Sequence, residues 1–336
     1  MSASTPEISV VMPTYRRPDL LARCLKALLA QTLEPHRYEI VVVDDGKEDR
    51  CREQVERIAA MTPQPTIMYR RPAVGRGPAV ARNAGWRAAR APLVAFTDDD
   101  TMPDPAWLAR GLAAMRANPQ WVAAAGQVRV PPPLELGGAD RPARPTDHEL
   151  MTRGLETAEF VTANAFVRRP VLVAIEGFDE RFLRAWREDS DLQFRLQAQG
   201  PVGRIDDALV WHPVRPERWG VSLRQQRNVF FDALLYRKHP AIYRARVRPV
   251  PPWDYYAIVA LTVAAPFVEM RGEPRAAALM LAAALLLVLR IAVKRLRRTS
   301  LAPSHVCEML CTSAAIPFLS VYWRLRGAWH FRTPFL

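Results

Sequence analysis

Short apolar runs alternate with helical segments through the first hundred residues of this chain. Each run is short enough to be a buried strand, and the four are residues 8–12, 40–43, 66–69 and 93–96. Between them lie segments with helical spacing or helical boundary residues, at 18–30, 48–60 and 78–90. Strands that alternate with helices in this way form a mostly parallel, doubly wound sheet. The N-terminal part is therefore predicted to be an α/β domain.

Three aspartates, Asp98, Asp99 and Asp100, directly follow the fourth run. Open α/β sheets bind their ligands at the carboxyl ends of parallel strands. Adjacent carboxylates repel one another unless a cation offsets them, and Mg²⁺ or Mn²⁺ binds carboxylate and phosphate oxygens together. A solvated acidic turn before the next helix is the alternative. The triplet is thus a candidate site for a divalent metal and a diphosphate.

Two other turns are expected at the same edge of the sheet. Pro13 and Thr14 end the first strand, and Asp44 and Asp45 end the second. Adjacent parallel strands would bring these turns together, where a carbonyl and a carboxylate can accept hydrogen bonds from a base and a ribose. Acidic turns after strands are common, so this feature alone is not specific.

A glycine-rich turn, residues 75–77, contains Arg76 and leads into a helix with Arg82. Glycine lets the backbone approach a ligand closely, and arginine offers a planar fork to phosphate or a base. The turn is no P-loop, because no Gly-Lys-Ser/Thr follows it. A structural turn and a surface helix explain it equally well.

Later in the chain, Glu188, Asp189 and Asp191 open a predicted helix, residues 188–199. Acidic residues in a first helical turn are usually caps or dipole partners. Three of them beside an arginine exceed what capping needs, so one carboxylate is a candidate general base for an acceptor hydroxyl. Further predicted elements are a helix at 105–117, strands at 160–168 and 205–212, and a basic helix at 222–238. A Pro-rich loop at 131–145 is a candidate lid.

Composition limits the classes of partner. The formal net charge is +13, with basic residues increasing towards the C-terminus, which suits an anionic membrane surface or a phosphate-bearing substrate. The sequence has no zinc-finger spacing, basic-region zipper or RNP-type strand, so no nucleic-acid partner is expected. The four cysteines form no framework, which fits a reducing compartment. Residues 1–7 do not resemble a secretory signal, so the N-terminal domain is expected in the cytoplasm.

Mostly apolar segments fill the C-terminal quarter, at 255–270, 276–293 and 306–323. The second is the strongest membrane candidate, at about the 17-residue lower limit, and a basic cluster, residues 294–298, follows it. Basic clusters on the cytoplasmic side predict a helical hairpin followed by an interfacial or re-entrant helix. The alternative is a soluble helical cap, against which the basic flanks and the terminal Tyr and Trp residues argue.

Taken in order, the motifs resemble those of the inverting family 2 glycosyltransferases with the GT-A fold. The resemblance runs from about Ile8 to His239. It is carried by Val-Met-Pro-Thr-Tyr, Val-Val-Asp-Asp-Gly, the Asp-rich DxD element, Thr-Ala-Asn-Ala-Phe-Val-Arg-Arg, Gly-Phe-Asp-Glu-Arg-Phe and Glu-Asp-x-Asp-Leu. Each motif is weak singly, and their order and spacing make the combination specific.

The resemblance implies a role for each candidate residue. The general base is Asp189, with Glu188 as its neighbour. Donor-nucleotide binding falls to Pro13, Thr14, Asp45, Arg76, Arg82, Asp98 and Asp99. Metal ligands are Asp98 and Asp100, with His212 as a third ligand or simply a histidine that ends a strand. The acceptor side contains Asn164, Trp186 and Asp191.

The resemblance also implies the overall activity. It divides the chain into a GT-A catalytic domain (1–225), a basic linker (226–252) and membrane-associated helices (253–336). The expected reaction moves one sugar from a nucleotide-sugar donor, with UDP favoured, to a lipid-linked or membrane-proximal glycan, with Mg²⁺ or Mn²⁺. Residues 223–228 lack the Trp of the Gln-x-x-Arg-Trp element of processive members, so single transfer is expected. Membrane lipids are expected partners at the cytoplasmic face of the inner membrane.

Two other functions are consistent with parts of this pattern. One is a membrane-anchored nucleotide- or glycan-binding protein without catalysis, against which the acid triplet and Glu188-Asp189 argue. The other is nucleotidyl transfer on a related fold, but residues 14–18 do not resemble the Gly-rich loop of such enzymes. The sequence does not identify the sugar, the acceptor or the oligomeric state.

Overall fold

The structure, a computed structural model, describes residues 5–131 and 144–336. Its described residues form two compact units. The first contains residues 5–131 with Arg153–Val214, and the second contains residues 144–152 with Arg215–Leu336. The Pro-rich loop predicted as a lid, 131–145, lies almost entirely outside the described residues.

A single sheet forms the centre of the first unit. Its strands are β1 (Ile8–Thr14), β2 (Tyr38–Asp44), β3 (Thr66–Arg70), β4 (Leu93–Phe96), β5 (Met102–Pro103), β6 (Ala123–Arg129), β7 (Ala165–Arg168) and β8 (Val202–Trp211). They are ordered β3-β2-β1-β4-β7-β6-β8-β5. The first four strands correspond closely to the four predicted runs.

One half of the sheet is parallel, as the alternation of strands and helices predicts. Strand β1 pairs in parallel with β2 on one side and with β4 on the other, and β2 pairs in parallel with β3. Thr14 is in register with Asp44. The turns after β1 and β2 therefore lie side by side at the carboxyl edge of the sheet.

The other half is mixed, so the sheet is less parallel than expected. Strand β7 runs antiparallel to both β4 and β6, and β5 runs antiparallel to β8. Strand β6 was not predicted because it begins with Ala123, Ala124 and Ala125, which have little strand propensity. Its pairing with β7 and β8 holds it extended.

The helices are α1 (Pro18–Leu29), α2 (Arg50–Met61), α3 (Pro78–Ala88), α4 (Trp107–Ala117), α5 (Asp147–Arg153), α6 (Arg169–Ala174), α7 (Glu188–Gln197), α8 (Val221–Gln225), α9 (Val229–Lys238), α10 (Pro240–Ile242), α11 (Trp253–Met270), α12 (Pro274–Leu296) and α13 (Pro303–His330). The predicted basic helix at 222–238 is divided into α8 and α9 by a 3₁₀ turn at Gln226–Asn228.

Helices cover both faces of the sheet because neighbouring residues of a strand point to opposite faces. On one face, Val10 and Met12 pack in a core with residues of α1, α2 and α4. On the other face, Val11 packs in a core with residues of α3, α6 and α7. This three-layer arrangement fixes the carboxyl edge of β1, β2 and β4, where the candidate residues lie.

The second unit is helical. Helices α11 and α12 pack along each other, and α13 packs against α9, α11 and α12. Two helices, α12 and α13, are long and apolar enough to cross a membrane by length and composition. Large apolar side chains on the α11–α12 hairpin are exposed, among them Phe267, Leu279 and Leu286. The apolar segments predicted at 255–270, 276–293 and 306–323 lie within α11, α12 and α13 respectively.

Candidate active site

The acid triplet follows β4 in a turn held by threonine side chains. The Thr101 hydroxyl donates to the carbonyl of Asp98 at 2.8 Å. The Thr97 hydroxyl donates to the carbonyl of Ala163 at 3.0 Å, which ties the turn to the segment before β7. Both threonines are fully buried. The three carboxylates therefore project from a rigid turn.

Asp99 is directed into the fold. Its carboxylate accepts a hydrogen bond from the Thr14 hydroxyl at 2.8 Å and one from Arg17 Nη1 at 3.3 Å. Burial, followed by the neighbouring charge of Asp100, raises the pKa of Asp99 to about 6. Asp99 thus joins the acid turn to the turn after β1, where Thr14 lies.

Arg17 is a site residue that the sequence reasoning missed. Its Nη1 atom lies 3.3 Å from Asp99 Oδ1 and 3.8 Å from Asp100 Oδ2. The signal in the sequence is the Arg16-Arg17 pair, which follows β1 after a single residue. Arg17 supplies positive charge that offsets part of the repulsion within the triplet.

Asp98, Asp100 and His212 form the one cluster of potential metal ligands found among the described residues. One ligand atom from each lies within 4.8 Å of the others. His212 follows β8, and its backbone N–H donates to the backbone carbonyl of Arg129 at 2.7 Å. Its Nε2 lies 3.6 Å from Asp100 Oδ1. Two carboxylates and an imidazole form a set of ligands that fits Mn²⁺. Mg²⁺ would bind to the two carboxylates of this set.

Arg82 connects the acid triplet to helix α7. The guanidinium, buried on α3, donates from Nη2 to Asp98 Oδ1 at 2.7 Å and from Nη1 to Glu188 Oε1 at 3.1 Å. It also lies over the ring of Phe178, 5.7 Å from the ring centroid. The family resemblance implied that Arg82 binds the donor. In the structure both of its hydrogen bonds go to carboxyl groups of this chain.

Glu188 and Asp189 differ in their surroundings. Glu188 is 3% exposed, and its Oε2 is buried with no hydrogen-bond partner among the residues that the structure describes. Burial, with a contribution from the charge of Asp189, raises the pKa of Glu188 to about 8. Asp189 is half-buried, and it accepts a hydrogen bond from the Ser190 N–H at 2.7 Å. Burial raises the pKa of Asp189 above its ordinary value, while Ser190, Arg82 and Arg187 oppose the rise.

The turns after β1 and β2 meet the glycine-rich turn. The Asp45 N–H donates to the Thr14 carbonyl at 3.0 Å, and the Asp45 carboxylate accepts a hydrogen bond from the Gly77 N–H at 2.7 Å. Gly77 has φ +101°, and a Cβ there would lie 2.8 Å from the Leu183 carbonyl oxygen, so only glycine fits. Arg76 is exposed beside it. Pro13 is half-buried on β1.

Two residues expected on the acceptor side are engaged inside the fold. Asn164 is fully buried: its Nδ2 donates to Gln127 and Ala208 carbonyls, and its Oδ1 accepts from Trp107 Nε1. Asp191 is also fully buried and pairs with Arg195 at 2.9 Å. This arrangement leaves neither side chain an exposed atom with which to contact an acceptor.

Trp186 is the expected acceptor residue that remains accessible. Its side chain is half-buried just before α7, and the Arg187 guanidinium lies over its ring, 4.8 Å from the centroid. Arg187 has φ +74°, a left-handed conformation that is strained for arginine. This turn sets the start of α7 and with it the position of Glu188 and Asp189.

The sequence of the chain is similar to those of known glycosyltransferases. Residues 9–175 match the family model described as "Glycosyl transferase family 2". The chain is 25% identical over 232 residues to glycosyltransferase AglE of Haloferax volcanii, covering 68% of this chain and 73% of that protein. It is 29% identical over 278 residues to a validoxylamine A glucosyltransferase of Streptomyces hygroscopicus subsp. limoneus, covering 72% of this chain and 58% of that protein.

A solved structure has a similar fold. It is the mannosyltransferase PcManGT from Pyrobaculum calidifontis, in complex with GDP-Man and Mn²⁺, with a TM-score of 0.57 and 18% identity. The match covers 97% of this chain and 88% of that one. At this identity the likeness concerns the fold, and it confirms the predicted GT-A architecture with a C-terminal helical region.

Proposed function

Since this chain belongs to glycosyl transferase family 2 and is a glycosyltransferase, we propose that it moves one sugar from a nucleotide-sugar donor to a hydroxyl of a lipid-linked or membrane-proximal glycan. The observation that carries the proposal is the Asp98, Asp100 and His212 cluster, linked through Arg82 to the carboxylates of α7. This arrangement offers a metal-diphosphate site and a candidate base within one rigid edge of the sheet.

Donor binding is proposed at the meeting point of three turns. Pro13, Thr14 and Asp45 offer a carbonyl and a carboxylate to a base and ribose, and the exposed Arg76 can reach a phosphate from the adjoining turn. UDP is the favoured nucleotide. The solved neighbour holds GDP-Man, which makes GDP the competing choice.

A divalent metal is proposed at Asp98, Asp100 and His212. Bound there, Mg²⁺ or Mn²⁺ would offset the negative charge on the diphosphate leaving group. His212 suits the role because its side chain is buried and its Nε2 lies 3.6 Å from Asp100 Oδ1. The solved mannosyltransferase structure contains Mn²⁺, which supports the same class of ion here.

Asp189 is the proposed general base. It is less buried than Glu188, and its carboxylate is fixed by the Ser190 N–H. Asp189 takes the proton from the acceptor hydroxyl, whose oxygen attacks the anomeric carbon from the face opposite the nucleotide, so the configuration inverts. Glu188, with a pKa of about 8, is protonated at neutral pH and serves to position Arg82 rather than to accept the proton.

The second unit is proposed to attach the enzyme to the cytoplasmic face of the inner membrane. The exposed apolar side chains of α11 and α12 would lie in lipid. Basic residues 294–298 end the hairpin, where anionic headgroups attract them. An acceptor carried on a membrane lipid would then be confined to the same membrane as the enzyme.

The test is nucleotide release by the full chain in detergent, with a membrane-lipid extract and a panel of UDP-, GDP- and dTDP-sugars. We expect release of one nucleotide only with Mn²⁺ or Mg²⁺, and its loss in Asp100→Ala. His212→Ala should raise the metal concentration needed for half-maximal turnover at least about 10-fold. The matched control is Asp206→Ala on β8, whose side chain is 82% exposed. Metal-independent release, or full activity of Asp100→Ala, would contradict the proposal.

A further inference from the structure

The second unit contains a buried guanidinium that its neighbours do not pair. Arg324, on α13, is 1% exposed. Its Nε and Nη1 atoms are buried, and within the described residues neither has a hydrogen-bond partner. The group packs over Phe335, 4.8 Å from the ring centroid. A buried charge without a partner is costly, so this position favours a bound anion.

Other polar groups surround Arg324. Asp232 on α9 and Arg248 before α11 both lie within electrostatic range of its guanidinium, as does Tyr256. Asp232 has interactions of its own, and within the described residues neither Nε nor Nη1 of Arg324 donates a hydrogen bond to it. The hydroxyl of Tyr256 is buried and has no hydrogen-bond partner in the part of the chain that the structure describes. Among the described residues, Arg324 Nε, Arg324 Nη1 and the Tyr256 hydroxyl are thus buried donors without acceptors in the same helical unit.

The location also has the composition of a membrane–water interface. Helix α11 begins with Trp253, Tyr255 and Tyr256, and α12 ends with Lys294 and Arg295. Aromatic and basic residues at helix ends are typical of the headgroup level of a bilayer. Electrostatic interactions link Tyr255 with arginines from outside α11, namely Arg248, Arg295 and Arg324.

We propose that Arg324, Arg248 and Tyr256 form a binding site for a phosphate group, carried by a membrane lipid or free in solution. Guanidinium groups bind phosphate oxygens through charge-assisted, often paired hydrogen bonds, and the tyrosine hydroxyl adds a donor. The phosphate supplies the negative charge and the acceptors that Arg324 lacks. This phosphate site is separate from the proposed sugar-transfer site, because its residues belong to the helical unit. Phosphate binding can be measured without measuring sugar transfer.

The test is calorimetric titration of the full chain in a neutral detergent with three probes. These are dihexanoyl phosphatidic acid, inorganic phosphate and dihexanoylglycerol, which lacks phosphate. We expect phosphatidic acid to bind wild type, and Arg324→Met to weaken binding about 10- to 100-fold, since hydrogen bonds to charged groups contribute this much. The matched control is Arg326→Met, because Arg326 lies on the same helix but is exposed; it should bind as wild type does.

The outcomes separate the sources of phosphate. Tighter binding of phosphatidic acid than of inorganic phosphate assigns the site to a lipid, and equal binding assigns it to free phosphate. Equal affinity of Arg324→Met and wild type, or equal binding of dihexanoylglycerol and phosphatidic acid, would overturn the site. If Arg324→Met does not fold, Tyr256→Phe replaces it, and unchanged binding by that variant counts against the proposal in the same way.

Discussion

Arg82 Nη2 lies 2.7 Å from Asp98 Oδ1, so a helix-borne guanidinium holds the first aspartate of the acid triplet. The same side chain reaches Glu188 Oε1 at 3.1 Å. One buried cation therefore sets the spacing between the proposed donor site and the start of α7. The three side chains come from α3, from the turn after β4 and from α7.

Replacement of Arg82 should affect both turnover and stability. Arg82→Gln leaves the Asp98 carboxylate without its cation and Glu188 without its hydrogen-bond donor, and the resulting displacement of Asp98 and α7 should lower kcat about 100-fold. Removing one partner of a buried ion pair should also lower the free energy of unfolding by about 3 kcal/mol. Steady-state kinetics and thermal unfolding measure the two effects. Arg87→Gln is the control, since Arg87 is exposed on the same helix and pairs with Glu180, and a similar loss there would refute the specific role of Arg82.

Stability should depend on pH through Glu188. Its pKa is about 8 in the folded chain and about 4.3 when unfolded. Between these values the folded state binds more protons than the unfolded state, so stability falls as pH rises, by at most about 1.4 kcal/mol per pH unit. Thermal unfolding at about pH 5 and about pH 8 should show this loss in wild type relative to Glu188→Gln. Glu53→Gln, on an exposed position of α2, should track wild type, and parallel curves for all three proteins would show the expectation to be wrong.

The two neighbouring carboxylates of α7 should differ in catalysis. Asp189→Asn keeps the oxygen that accepts the Ser190 N–H but removes the base, so kcat should fall about 10²- to 10⁴-fold. Glu188→Gln resembles the protonated acid and should retain most of the turnover at neutral pH. Initial rates with saturating donor measure both. The opposite ranking of the two variants would assign the base to Glu188.

Asn164 should matter for stability rather than for acceptor affinity. Asn164→Ala leaves the Trp107 indole N–H and the carbonyls of Gln127 and Ala208 without their partner. Unpaired buried polar groups of this kind should lower the free energy of unfolding by about 3 kcal/mol. Thermal unfolding measures the loss, with Asn118→Ala at the end of α4 as the control. A raised KM for the acceptor with unchanged stability would instead support the role that the sequence suggested.

Membrane attachment should depend on the exposed apolar face of α12. Leu286 is 67% exposed near the middle of that helix, and Leu286→Lys would place a charge in lipid at a cost of about 3 kcal/mol. We expect a smaller fraction of the protein to float with liposomes that contain anionic lipid. Leu301→Lys, beyond the end of α12 and 60% exposed, is the control. Unchanged flotation of Leu286→Lys would mean that α12 does not enter the bilayer.

The parallel half of the sheet can be predicted from the pattern of apolar residues along the chain. The runs at 8–12, 40–43, 66–69 and 93–96 are apolar, and their alternation with helices leaves a doubly wound sheet as the arrangement that buries them. The same pattern also predicts that the polar turns after β1, β2 and β4 share one edge, because strand direction alone brings their ends together. The positions of Thr14, Asp45 and Asp98 follow from that rule.

The mixed half of the sheet and the burial and partners of individual side chains depend on contacts between distant segments. The Ala-rich β6 is extended through pairing across the chain, which no local propensity encodes. The motifs that contain Asn164 and Asp191 also contain accessible residues. These two side chains, however, are buried and bound to other groups inside the fold. Arg82 contacts Glu188, which lies 106 positions later in the chain, and Arg324 on α13 becomes a buried charge only when α9 and α11 pack against that helix. Such contacts arise between distant segments, so their chemistry is fixed by packing and not by local sequence.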